Sequence, residues 1–350
     1  MTVRVGIVGA SGFTGAELLR LAAGHPDLEV VAATGDTQAG TALGELYPSL
    51  TAAYPDLVFA SYEDELADEH GLDVVFCGLP HGTSQEIVPG LLRDGRLVVD
   101  LGADFRLTDA ALYPHWYGAA HTVPQLLAEA VYGLPELFRK ELADLGGTGL
   151  IATPGCYVTT ATLALAPLLQ AGLVEPTGIV VDAASGVSGA GRPPKPNTTF
   201  CTADENFTAY GVLDHRHTPE IEQNLTHVAG TDVQVLFTPH LAPMSRGILA
   251  TCYARPTTAL TTELVRSVLH EAYDAEPFVV VLDEPPSTKA TVGAQVVHVT
   301  AYADPRTGWV VALAALDNLT KGASGGAIQA ANVALGLPEA AGLPLVGLYP

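Results

Sequence analysis

Val3-Arg4-Val5-Gly6-Ile7-Val8 runs into Gly9-Ala10-Ser11-Gly12-Phe13-Thr14-Gly15, and residues 16–22 follow as an apolar, helix-compatible stretch. The order is strand, glycine turn, helix. In that context a glycine-rich loop has a physical meaning. The glycines permit a tight turn and close backbone approach, and the helix N-terminus faces a pyrophosphate. The spacing is G-x-x-G-x-x-G, a variant of the commoner G-x-G-x-x-G. Residues 28–33 read as the next strand, with Thr34-Gly35-Asp36-Thr37-Gln38 at its end. Asp36 suits a ribose 2′-hydroxyl, as in NAD. The hydroxyls and amides around it, Thr34 included, equally suit a 2′-phosphate, so this feature leaves the choice of NAD or NADP open.

Residues 57–60, 73–77, 96–100 and 149–152 continue the strand series, with helix-like pieces between several of them. Alternating strand and helix implies a doubly wound, mostly parallel sheet of Rossmann type. Ligands gather at the carboxyl ends of such strands. Gly78-Leu79-Pro80-His81-Gly82 and Asp100-Leu101-Gly102-Ala103-Asp104-Phe105-Arg106 fall there. Arg106 can fork onto a phosphate or pair with Asp100 or Asp104.

A third such end is Thr153-Pro154-Gly155-Cys156-Tyr157-Val158-Thr159, which leads into an apolar helix-like segment at 158–169. Pro154 fits a turn or a first helical position. Cys156 then lies where helix N–H groups point outward, which lowers a thiol's pKa and suits a nucleophile attacking a carbonyl. A small buried cysteine at a helix cap is the plainer alternative.

Beyond this helix the pattern changes. Residues 178–184, 232–237, 248–253, 295–302 and 309–316 read as strands with few helices between them, 261–273 being one. Successive strands imply a second, α+β domain with a largely antiparallel sheet. The expected division is 1–155, 156–316, and 317–350 as a C-terminal helix returning to the first domain. The small-residue face of 320–336 suits that close packing. In Asp214-His215-Arg216-His217-Thr218-Pro219-Glu220, Thr218 is the expected N-cap and Pro219 the first helical residue. Either histidine fits a general base, a metal ligand or a surface position. Arg246 fits a carboxylate clamp or a loop brace.

Sixteen Lys and Arg stand against 38 Asp and Glu, a formal charge of −22. So acidic a chain is a poor match for nucleic acid or an anionic membrane. Cys77, Cys156, Cys201 and Cys252 are too far apart for a zinc knuckle or disulfide framework, and a reducing cytoplasm is expected. The N-terminus shows no signal-peptide pattern, and no apolar run reaches about 18 residues.

Taken together, residues 9–15, 78–82, 100–107, 154–159, 185–192, 215–221, 238–247 and 317–329 resemble the N-acetyl-γ-glutamyl-phosphate reductase family, relatives of aspartate-semialdehyde dehydrogenase. The resemblance implies an NADPH-dependent reduction of an acyl phosphate in arginine biosynthesis by a homodimer or homotetramer. It implies Cys156 as nucleophile and His217, ahead of His215, as acid/base. Arg106 meets the leaving phosphate. Arg246, Glu220, Ser185 and Gly186 hold the amino-acid end. Gly9, Ser11, Gly12, Phe13, Thr14 and Gly15 cradle the NADP, with Thr34 beside them and Asn318 at the nicotinamide. No metal is implied. Thr153 stands where the family usually has Asn, Thr160 where a small residue is usual, and Gly326 where Gln is common. An aminoadipate-type acyl-phosphate reductase and a non-catalytic NADP-binding redox regulator are the alternatives.

Overall fold

The computed structural model describes residues 2–62, 71–93 and 95–349. The chain forms two compact units: Met1–Ala111, Ala120–Pro154 and Ala323–Leu343 in the first, Leu112–Ala119, Gly155–Gly322 and Pro344–Pro350 in the second.

The first unit is built on a six-stranded sheet of β1 (Val3–Val8), β2 (Leu28–Ala33), β3 (Val74–Cys77), β4 (Leu97–Asp100), β5 (Val131–Tyr132) and β6 (Gly149–Ala152), in the order β2-β1-β3-β4-β6-β5. Every neighbouring pair is parallel. Every residue of β3 and β4 is buried, as expected of strands covered on both faces. Helix α1 (Phe13–Ala22) follows β1, α2 (Ser84–Arg93) follows β3, and α3 (Pro135–Asp144) lies between β5 and β6. The chain runs from β1 out to β2, then back past β1 to β3, so the β1/β3 boundary is the topological switch. The C-terminal helix Gly325–Ala334 packs on α1, α3 and β4, with Gly325, Gly326, Ala327, Ala330 and Ala331 buried. Before it, Thr320–Ser324 is a π-helical turn.

The second unit carries a seven-stranded sheet of β7 (Ile179–Ser185), β8 (Thr208–Ala209), β9 (Val235–Leu241), β10 (Ile248–Ala254), β11 (Val279–Val281), β12 (Val297–Asp304) and β13 (Trp309–Leu316). Its order is β11-β12-β13-β10-β7-β9-β8. The β11/β12 and β7/β9 pairs are parallel and the others antiparallel. Burial alternates strictly along β7 and β10, so one face lies on a core and the other is half-exposed. The core face meets α4 (Cys156–Gln170), whose residues from Tyr157 to Leu169 are all buried. A helix apolar all round belongs inside a unit. Helices α5 (Thr218–Ala229) and α6 (Thr262–Tyr273) pack on α4.

Some elements differ from the sequence reading. Residues 57–60 form no strand. Val58 and Ala60 each make a single bridge, to Ala42 and Thr34, and with different partners no ladder propagates. The strand expected at 232–237 is β9, shifted to Val235–Leu241. It passes through Pro239, whose carbonyl still accepts from the Tyr210 N–H. Thr218 is not the N-cap of α5. Ile221 N–H bonds to the His217 carbonyl, which closes the first turn one residue earlier and makes His217 the cap.

Candidate active site

The second unit places Cys156 at the first position of α4, with Gly155 as extended N-cap and Pro154 before it in the turn. The first-turn N–H groups of a helix point along its axis, a favourable surrounding for a thiolate or an oxyanion. The sulfur stands on a rigid support, because the rest of the helix is core. Gly322 closes on it from the π-turn, and a Cβ there would lie 2.9 Å from Cys156 Cβ.

His217 caps α5 and is buried. Its ring lies over Gly155, where an added Cβ would meet Nε2 at 2.5 Å. The missing side chain of Gly155 is therefore what admits the imidazole beside the nucleophile. His215 lies against His217, ring centroids 4.7 Å apart. Its Nδ1 accepts the His217 backbone N–H at 3.1 Å. Burial, helped by the Arg216 charge and opposed by Asp214, pushes the His215 pKa down to about 4. His215 is thus a neutral ring near pH 7 and supports the loop. Glu220, fully buried in the first turn of α5, accepts the Gly155 N–H at 2.9 Å. One carboxylate therefore links the helix of the histidine to the cap of the cysteine helix. Tyr210 and Tyr157 extend the cluster. Tyr210 donates its hydroxyl to that of Tyr157, which donates to the His240 carbonyl. Burial raises the pKa of both phenols, and charge on Cys156 adds to the effect.

Arg246 pairs through Nε with Asp317 at 2.9 Å and donates Nη2 to Thr320. Asp317 also accepts the N–H groups of Gly293, Leu319 and Thr320. Asn318 accepts the Gly247 N–H at 2.7 Å and donates to Ser188. Ser185, at the end of β7, donates to the Gly186 carbonyl. A Cβ on Gly186 would lie 2.8 Å from the Arg246 backbone nitrogen. These residues form one braced set of loops at the ends of β7, β9, β10 and β13.

In the first unit, Gly9 has φ +80°, and a Cβ there would collide with the Gly78 carbonyl. A Cβ on Gly15 would strike the Ala10 backbone. Gly12 is the extended N-cap of α1, whose first turn holds Phe13 and Thr14 and no acidic residue. Ser11 lies beside Gly35, and Thr34 fixes the loop by accepting the Ala10 N–H at 2.7 Å. This backbone cradle fits the pyrophosphate of a dinucleotide. The side chain of Asp36 lies outside the described residues.

Arg106, buried, donates Nε to the Thr153 carbonyl and Nη2 to the Leu101 carbonyl, each at 2.8 Å. It ties the loop after β4 to the residue that leads into the cysteine turn. Beside it lies a cluster that sequence patterns did not reveal. Asp104 accepts from Gly82 and Ser84 N–H and pairs with His81 at 2.6 Å. Ser84 donates to Asp100. The signal available in the sequence was that His81 and Asp104 each fall just past the end of a strand. Among the described residues no group of three or more His, Cys, Asp or Glu is arranged to hold a metal ion. Nor is any helix among them long and apolar enough to cross a membrane.

Residues 4–145 match the NAD binding domain of semialdehyde dehydrogenases, and residues 156–318 match their dimerisation domain. The fold agrees with that class. Aspartate semialdehyde dehydrogenase II of Vibrio cholerae, solved with ASA, has a TM-score of 0.71 at 16% identity, covering 95% of this chain and 98% of that one. The Candida albicans enzyme, solved with NADP, has a TM-score of 0.68 at 18% identity, over 95% and 98% of the two chains. Sequence similarity narrows the class. An N-acetyl-gamma-glutamyl-phosphate reductase of Symbiobacterium thermophilum is 49% identical over 354 residues, spanning 100% of both chains. That of Magnetococcus marinus is 46% identical over 351 residues, spanning 100% of this chain and 99% of its own. The chain belongs to the N-acetyl-γ-glutamyl-phosphate reductase family.

Proposed function

We propose that the chain is an NADPH-dependent reductase that converts N-acetyl-γ-glutamyl phosphate to N-acetylglutamate 5-semialdehyde and phosphate, a step of arginine biosynthesis. The observation that carries the mechanism is the His217 ring over Gly155, next to Cys156 at the start of a buried helix.

In this reading His217 accepts the thiol proton as the Cys156 sulfur attacks the acyl carbon. The carbon–oxygen bond to phosphate breaks, and phosphate takes that proton from His217 and departs as hydrogen phosphate, leaving a thioester on Cys156 and a neutral His217. When bound, the reduced nicotinamide supplies the hydride that the thioester carbon takes up. The carbon–sulfur bond then breaks, releasing the aldehyde and the Cys156 thiolate, and a proton taken up from solvent and passed on by His217 restores the thiol. The first-turn N–H groups of α4 hold the oxygen as its charge develops, worth about 3 kcal/mol per donor. Covalent capture matters because a thioester accepts hydride where a carboxylate does not. Gly9, Ser11, Gly12, Phe13, Thr14, Gly15 and Thr34 hold the NADP, and Asn318 contacts the nicotinamide. Arg106 receives the leaving phosphate. Arg246, Ser185 and Gly186 receive the amino-acid end, and Glu220 orients the turn that presents Cys156.

The protein works as a homodimer or homotetramer, which the match to a dimerisation domain and the half-exposed face of the second sheet support. Its four free thiols suit the cytoplasm.

The test runs the reaction backwards. Purified protein receives N-acetylglutamate 5-semialdehyde, phosphate and NADP, and nicotinamide absorbance is followed. Phosphate-dependent reduction of NADP is expected. A preference for the one-carbon-longer semialdehyde would move the substrate to the aminoadipate class. Silence with every substrate, while NADPH still binds, would overturn the enzymatic reading.

A further inference from the structure

His81 lies just past the carboxyl end of β3, on the strand that borders the topological switch. The start of its loop, Gly78, is in contact with the cofactor loop. Gly9 must be glycine because the Gly78 carbonyl fills the space of a side chain, and a Cβ on Gly78 would lie 3.2 Å from Thr14 Oγ1. The histidine stands three residues along the loop that begins at this contact. It is also built for a task. Asp104 is wholly buried, its oxygens accept the Gly82 and Ser84 N–H groups, and His81 Nδ1 lies 2.6 Å from Oδ1 as an ion pair. Burial opposes ionisation of Asp104, yet His81 and the two amides outweigh it and hold its pKa below the ordinary value. His121 Nε2 meets the Asp104 carbonyl at 2.7 Å, which fixes the backbone of the same residue. A carboxylate facing Nδ1 sets the orientation of an imidazole. The His81 side chain, 23% exposed, is the solvent-facing end of this buried assembly. A chain of net charge −22 repels anions overall and needs such placed donors to hold one.

We propose that His81, aligned by Asp104, is a ligand for a phosphate oxygen at the carboxyl edge of the first unit's sheet. Its Nδ1 faces the Asp104 carboxylate at 2.6 Å, so Nε2, on the opposite edge of the ring, is the nitrogen assigned to the ligand. This rests on the reductase reading, in which two reactants carry phosphate: the dinucleotide, and the phosphate that leaves the substrate.

The experiment has two parts. In the unmodified protein, acylation of histidine by diethyl pyrocarbonate is mapped by peptide mass spectrometry without ligand, with inorganic phosphate, and with NADP. Labelling of His81 should fall at least fivefold with one of them. In parallel, His81→Asn keeps an amide donor for Asp104 but removes Nε2. A tenfold rise in the phosphate KM of the reverse reaction, with NADPH affinity unchanged, would assign the leaving phosphate. A tenfold loss of NADPH affinity would assign the dinucleotide. Unprotected labelling in the unmodified protein, or a variant within twofold on both constants, would overturn the proposal. If the unmodified protein turns over no substrate, the reductase reading fails separately, and the labelling still decides whether His81 meets phosphate. His81→Gln, whose amide reaches the Nε2 position, should recover part of the lost affinity.

Discussion

Glu220 Oε1 accepts the backbone N–H of Gly155 at 2.9 Å, deep in the second unit. The bond spans 65 residues and joins the first turn of α5 to the cap of α4. His217 belongs to one end of this link and Cys156 to the other, so the carboxylate sets their spacing. Glu220→Ala leaves a buried N–H without its acceptor, at a cost of about 1–3 kcal/mol. It should lower kcat by about a hundredfold, the scale of a small misplacement of reacting groups. Glu220→Gln keeps the accepting oxygen and should recover most of kcat. Steady-state kinetics and thermal melting of both variants test this. Equal kcat losses in the two would show that the charge matters, and not the hydrogen bond.

Gly155 and Gly322 shape the same site by what they lack. Gly155→Ala would put a methyl 2.5 Å from His217 Nε2, and Gly322→Ala would put one 2.9 Å from Cys156 Cβ. In each case the reacting side chain or its backbone must shift. Each variant should fold, bind NADPH nearly normally, and lose about a hundredfold in kcat. The Gly155 variant should lose more, because the imidazole of a buried cap has little room to retreat. NADPH fluorescence titration beside kinetics separates this outcome from general damage, and normal turnover in Gly155→Ala would contradict the assigned position of the base.

The two histidines are separable by the same measurements. His215 titrates near 4, and its Nδ1 is occupied by the His217 N–H, so it is not a base poised for neutral pH. His217→Asn should cut kcat by about 10²–10⁴, the range for removing a general acid–base group. His215→Asn, which keeps a side-chain group for the loop, should cost less than about tenfold on that scale. Cys156→Ala should abolish turnover and leave NADPH binding. Measured kcat values in the reverse order for the histidines would exchange their roles.

Local patterns in the chain pointed to much of this. The strand, glycine turn and helix at the N-terminus, and the strand, turn and cysteine helix at 149–170, each show their boundaries within about fifteen residues, the reach of helix and turn signals. Longer-range features were not legible. The bond from Gly155 N–H to Glu220 joins residues 65 apart, and neither segment alone announces it. Arg106 looked like a phosphate fork or an ion-pair partner, and it braces two carbonyls, one supplied by Thr153. The His81–Asp104 pair exists only because β3 and β4 are neighbours, and sheet order is not written in either segment. The strand read at 232–237 stops short of Pro239, yet β9 runs through it, and the Pro239 carbonyl accepts the Tyr210 N–H next to the edge strand β8.

Asp100 offers a prediction about pH. It is fully buried at the end of β4, and burial raises its pKa from 3.8 to about 6, with the Asp104 charge adding and Ser84, the Gly102 N–H and Arg106 opposing. Oδ2 has no hydrogen-bond partner among the described residues. A carboxyl with a raised folded value holds its proton more tightly folded than unfolded. Its contribution therefore favours the fold most below pH 3.8 and is lost as pH rises through about 6. The full difference corresponds to about 3 kcal/mol. Asp100→Asn does not titrate, and its amide oxygen still accepts from Ser84 and Gly102. Other acidic groups are common to both proteins and cancel in the comparison. On acidification from about pH 7.5 to 4.5 the unmodified protein should keep its unfolding free energy better than the variant by roughly 2 kcal/mol. Urea unfolding of both proteins at the two pH values measures the difference. Parallel pH dependence would mean that Asp100 is ionised in the fold, with its second oxygen stabilised by a group not yet assigned.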